Sequence, residues 1–175
     1  MMLPCNSQDD HFITDPGYRQ MVATAFETRK QRYDNGEESI YAVFDKQMSM
    51  QEHEALQFLY AYMPLADIAD QQGDFFLRNI RYTFRALDSF SWGDSIPEDV
   101  VRHYLLPVRV NNEFLDSSRM VFYRELKPRV IGMSMEEAAL EVNYWCHGKV
   151  TYKSTGMRTS SPLQTVKNAF GRCGE

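Results

Sequence analysis

The sequence predicts a mainly α-helical fold, on three observations. Apolar residues recur at helical spacing in one segment after another. Two of these segments open on a Ser-x-x-Glu capping box, at Ser49/Glu52 and Ser134/Glu137. A single stretch, KVTYK at Lys149–Lys153, alternates and carries the β-branched and aromatic residues of a short strand. At 175 residues, 43% hydrophobic and 13% aromatic, the chain is long and apolar enough for one domain, or two small ones, with a real core.

The elements follow in order. TDPGYRQMVATAFETRKQRY begins with Asp15 as N-cap and Pro16 at the first helical position. Tyr18, Met21, Val22, Ala25 and Phe26 share one face, and Asp34-Asn35-Gly36 is a stop. SMQEHEALQFLYAYM places Leu56, Leu59, Tyr60 and Met63 on a stripe that Pro64 ends. DFFLRNIRYTFRAL starts at Asp74, with Phe76, Ile80, Phe84 and Leu87 on one side. PEDVVRHYLL runs from Pro97 to its closure at Pro107, and a further helix is expected within Glu113–Leu126, stopped by Pro128. SMEEAALEVNYWCHG sets Met135, Ala138, Val142 and Trp145 at helical spacing and ends on Gly148 as the expected C′ residue. The strand KVTYK comes next. A last helix has Ser161 as N-cap, Pro162 at N1, an apolar face of Leu163, Val166 and Phe170, and Gly171 as its stop.

Charge and cysteine usage exclude several functions. A net charge of −5 argues against a general nucleic-acid binder, which needs a concentrated basic face. No apolar run reaches the roughly 18–20 residues of a membrane span, since ALQFLYAYMPLADIA is broken by Gln57, Pro64 and Asp67. Cys5, Cys146 and Cys173 form neither a disulfide framework nor a zinc-type pair. The opening MMLPCNSQDD reads as a disordered N-terminus without an apolar signal core. Its Leu3-Pro4-Cys5 also resembles the end of a bacterial lipoprotein signal, which leaves two compartments open, the cell envelope if that resemblance holds and otherwise the cytoplasm.

Among candidate sites, Cys173 in GRCGE stands out. A thiol flanked by glycines allows a tight turn and close approach, and a Cys that begins a helix is stabilised as thiolate by the free N–H groups there. Its bland reading is a small apolar residue in a turn. A nucleophilic Cys also needs a base, and His147 at a helix end is the nearest of the four histidines by pattern, although its place beside Cys146 is more simply incidental. Arg78, Arg81 and Arg85 read as a solvated face before an anion-binding stripe. Asp67, Asp70 and Asp74 lack the spacing of a calcium loop, and Glu136, Glu137 and Glu141 are the acids expected early in a helix.

The blocks ALEVNYWCHGKVTYKS and SSPLQTVKNAFGRCGE, taken together, resemble the front half of the transglutaminase-like core, a branch of the papain-like cysteine enzymes. In that family a Trp-bearing helix leads to a short strand ending in an aromatic residue, matched by Trp145 and Val150-Thr151-Tyr152. A variable loop, a helix and a Gly-x-Cys-Gly turn follow. The resemblance covers residues 111–175. Residues 16–110 look like the helical region that precedes this core in some bacterial members, and residues 1–15 like a disordered lead.

The resemblance implies Cys173 as nucleophile, attacking the carbonyl of a peptide or protein amide. A thioester forms, which water or an amine resolves without metal or organic cofactor. It also implies a His and an Asp downstream, so the expectation is an enzyme truncated just after its nucleophile and inactive as it stands. Without the sheet that follows in the family, the faces of Val142, Trp145, Leu163, Val166 and Phe170 are expected to be partly uncovered, favouring self-association. The alternative is a mostly helical, non-catalytic protein that binds a partner.

Overall fold

Asp15 caps the first helix as its residue type requires. Its Oδ1 accepts from the Tyr18 amide at 2.5 Å, Pro16 holds N1, and α1 runs Pro16–Tyr33 before Asp34 turns extended. A 3₁₀ turn, Ala42–Asp45, leads to α2, Met50–Tyr62, where Ser49 and Glu52 form both bonds of the capping box. Pro64 does end α2, but the chain re-enters helix at once as α3, Leu65–Asp70, and then α4, Gly73–Ser89. The computed structural model describes residues 11–34, 36, 39–153 and 159–171. Helix accounts for 68% of those residues and strand for 3%, a mainly α fold.

Two units divide between Ile80 and Arg81, within α4. The expected boundary near residue 110 therefore lies inside the second unit. The first unit is built on α1 against α2. Its core is aromatic: Tyr60 meets Tyr41 at 5.5 Å, Phe44 edge-on at 5.2 Å and Phe76 edge-on at 5.7 Å between ring centroids. The predicted stripe of α2 is buried as expected, joined by Ala55 and Phe58. On α1, Val22 and Phe26 are buried while Met21 is exposed, so the face is narrower than the spacing suggested.

Tyr60 is fully buried and donates its hydroxyl to the Ile40 carbonyl at 3.0 Å. Burial favours the neutral phenol and pushes its pKa well above the ordinary tyrosine range. The stability this gives is complete below the unfolded pKa of about 10 and is lost as pH rises past it, because only the unfolded phenol ionises readily. Stability measured from pH 8 to pH 11 should fall more steeply in the parent than in Tyr60→Phe; equal slopes would refute the assignment.

In the second unit, α5 (Glu98–Val100) passes into a π-helical turn, Val101–Leu105, where the Leu106 amide reaches back to the Val101 carbonyl at 2.9 Å. Sequence spacing could not distinguish this from one α-helix. Next, α6 spans Ser118–Val130 rather than lying within Glu113–Leu126. The late start has a local cause. The Glu113 carboxylate accepts from the Val110 amide at 2.6 Å and the Asn111 amide at 2.8 Å, which holds a turn up to the expected start, and Asp116 Oδ1 accepts from the Ser118 amide at 2.8 Å where α6 begins. Pro128 does not stop α6. It sits two residues from the end, removes one amide, and the Ile131 amide still closes on Lys127 at 3.0 Å.

The most regular element of the unit is α7, Met135–Lys149, with the Ser134/Glu137 capping box formed as predicted. It runs through Gly148 instead of ending there, and Val150 leaves it in extended conformation. The strand appears as β1, Thr151–Tyr152. Ser161 caps α8, Pro162–Asn168, which stops at Ala169 in the left-handed region (φ 58°). Gly171, expected as the stop, instead belongs to β2, Phe170–Gly171. β1 and β2 pair in parallel, Thr151 with Phe170 and Tyr152 with Gly171, and α8 lies in the long crossover a parallel pair needs. Asp116 ties this region down, its Oδ2 accepting from the Leu163 amide at 2.8 Å.

Candidate functional site

Cys173, the residue the sequence singles out, lies outside the described residues, as does Cys5. The described chain reaches Gly171 in β2, two positions before that thiol. Trp145 on α7 is buried, donates Nε1 to Glu125 of α6 at 2.9 Å, and meets Phe122 edge-on at 5.3 Å. Lys149 completes the pin, pairing with the same Glu125 oxygen at 2.7 Å and lying over the Trp145 ring at 5.4 Å. The bonds from Lys149 and then Trp145 hold the Glu125 carboxyl below the usual carboxylate range. This cluster fixes the end of α7 against α6, and with it the point where β1 begins.

The other sequence candidates are not brought together. His147 is exposed in the last turn of α7. His53 stands edge-on to Phe44, and His11 pairs with Glu54. Arg78, Arg81 and Arg85 are exposed along α4, the solvated face expected of them. Asp67 is buried, Asp70 exposed, and Asp74 binds Lys46 at 2.6 Å. Glu137 caps α7 and Glu141 pairs with Arg129 at 2.7 Å. Among the described residues no three His, Cys, Asp or Glu side chains cluster as a metal site, and no helix is long and apolar enough to cross a membrane.

Sequence reasoning missed one feature of the second unit. A groove of about 790 Å³ opens between the C-terminal half of α4, α6 and α7. Its walls are apolar and aromatic, with Ala86, Ala138 and Ala139 leaving the space that larger side chains would fill. Phe90 and Trp92, stacked at 4.9 Å, close one side. Arg119 and Lys127 of α6 are the charged residues that line it. Arg119 donates to Thr83 Oγ1, to the Leu105 carbonyl and, at 2.9 Å, to the Pro107 carbonyl. These acceptors are all neutral, and burial pulls the guanidinium pKa down to about 10. Cys146, exposed and in no disulfide, stands at the edge. The adjacent alanines of α7 were the available signal in the sequence; nothing marked Arg119.

Of the apolar face expected to be uncovered, Trp145 is buried while Val142, Leu163, Val166 and Phe170 are part-exposed. No family model matches the chain, and no curated protein or solved structure matches it either.

Proposed function

We propose that this chain is the front part of a transglutaminase-like cysteine enzyme with Cys173 as its nucleophile. The observation that carries the reading is the order of elements across Ser134–Gly171: a helix bearing a buried Trp, a short strand ending in Tyr152, a helix, and then the Gly-Arg-Cys-Gly segment. In this chemistry the Cys173 thiolate attacks an amide carbonyl and a C–S bond forms. The C–N bond then breaks, with the leaving amine taking a proton from a histidine. Water or a second amine next attacks the thioester and returns the thiol. The histidine and its orienting aspartate belong to sequence beyond Glu175, and the substrate is an amide of a peptide or protein.

The test is to read the gene beyond codon 175 and assay the protein it encodes. The expected outcome is a frame that continues through a His and an Asp. Its product should hydrolyse or transfer peptide amides, and Cys173→Ala should lower that rate by roughly a thousandfold or more. A stop codon after Glu175, or turnover that survives Cys173→Ala, would sink the reading. The second reading, a non-catalytic helical binding protein, is favoured by the groove of the second unit, which needs no thiol to act.

A further inference from the structure

The second unit has a lean core for its length. All but five of the buried apolar side chains among the described residues belong to the first unit. Where the second unit would otherwise close its interior, the groove between α4, α6 and α7 stands open, at a volume within the range of about 300–1,000 Å³ usual for small-molecule sites.

Charge narrows the choice of occupant. Two cations line the groove and no carboxylate does, and neither Arg119 nor Lys127 has an ion-pair partner among the described residues. Arg119 spends three of its five N–H groups on neutral acceptors. Its Nε–H and one Nη2–H remain as donors that a carboxylate can accept from. The three spent bonds hold the guanidinium in place, so binding an anion there costs little ordering. Lys127 stands eight residues further along α6, about 12 Å at the helical rise, so a single head group meets only one of the two. The partly desolvated Arg119 gains more from an anion than a solvated ammonium would.

We propose that this groove binds a long-chain carboxylate, its alkyl chain along the walls of α4, α6 and α7 and its head group on Arg119. The proposal is independent of any chemistry at Cys173.

Isothermal titration calorimetry of the full chain with dodecanoate, kept below its micelle-forming concentration, tests it against dodecanol and dodecyltrimethylammonium. Dodecanoate should bind roughly tenfold more tightly than dodecanol, the difference one charge-assisted hydrogen-bonded contact makes, with the ammonium amphiphile weakest. Ala139 is an exposed residue on the groove wall, so Ala139→Trp fills the space from its rim and should abolish binding without lowering the unfolding midpoint. Arg119→Gln should erase the preference for the acid. That change also strips bonds from Leu105 and Pro107, so if it fails to fold, the Ala139 variant and the choice among head groups decide between the outcomes. Bound dodecanoate should also slow alkylation of Cys146, read on its own tryptic peptide. Equal affinity for the alcohol overturns the proposal, as does dodecanoate binding that Ala139→Trp leaves intact. So does self-association that Ala139→Trp abolishes and dodecanoate does not displace, which would make a second copy the occupant.

Discussion

Glu54→Ala is expected to cost the first unit about 3–4 kcal/mol, the range for removing one partner of a buried charged cluster. Glu54 lies in α2 with its side chain 5% exposed. Its carboxylate pairs with His11, accepts from the Phe12 amide at 2.8 Å and the Ile13 amide at 3.0 Å, and faces the Arg19 guanidinium at 3.8 Å. Arg19 in turn donates to the Ile13 carbonyl at 2.7 Å. One carboxylate therefore pins the stretch of backbone before α1 and seats Ile13, which is 1% exposed. Alanine leaves two backbone amides without their acceptor and the Arg19 guanidinium without its counter-charge. Urea unfolding should show the loss, and hydrogen exchange at Phe12 and Ile13 should quicken more than exchange in α6 and α7. A cost under about 1 kcal/mol would mean that water replaces the carboxylate without penalty.

Gly93→Ala is the second large effect, a loss of about 3 kcal/mol in the second unit, the upper end of the usual range for overpacking. A methyl there would overlap the Leu87 carbonyl group, whose carbon would stand 2.6 Å from it. That obstacle is helix backbone and cannot rotate away. The turn it occupies is held by the Gly93 amide on Phe90 at 2.9 Å, and the same turn sets Trp92 on Phe90 beside the groove. Displacing it should change Trp92 fluorescence as well as stability. Gly148→Ala is the matched control. Nothing lies within 4 Å of a methyl at that position, inside α7, so helix propensity should raise stability by about 0.5–1 kcal/mol. If the two substitutions behave alike, close approach at Gly93 is not what that glycine provides.

The candidate site was legible only in part. GRCGE carries its chemistry in five adjacent letters, so Cys173 can be nominated without a structure. The Trp145–Glu125–Lys149 pin could not, because its acid comes from another helix, twenty residues before the tryptophan. The groove was equally hidden. Periodicity names the apolar face of each helix but not how closely those faces meet, and the contents of a groove depend on that gap. Arg119 illustrates the limit: in sequence it is one of two arginines in SSRMVFYREL, and only folding brings the Leu105 and Pro107 carbonyls to it.

By itself the sequence determined the helical class, the two capping boxes, the Asp15 and Ser161 caps, the buried stripe of α2 and the short strand after α7. Each of these depends on residues a few positions apart, whose competing interactions are local and strong. Tertiary structure decided what local rules misjudge. Two exceptions were themselves local: the Glu113 carboxylate holds a turn at Val110 and Asn111, and Pro128, two residues from the end of α6, removes a single amide. Gly148 stayed helical while Ala169 took the left-handed turn, strain of about 1–2 kcal/mol. That turn puts Phe170 and Gly171 beside Thr151 and Tyr152, where the Ala169 and Gly171 carbonyls accept from Thr151 and Lys153 at 3.0 and 2.7 Å. Bonds between segments nearly twenty residues apart outweighed a propensity difference that favoured the glycine by no more than those few kilocalories.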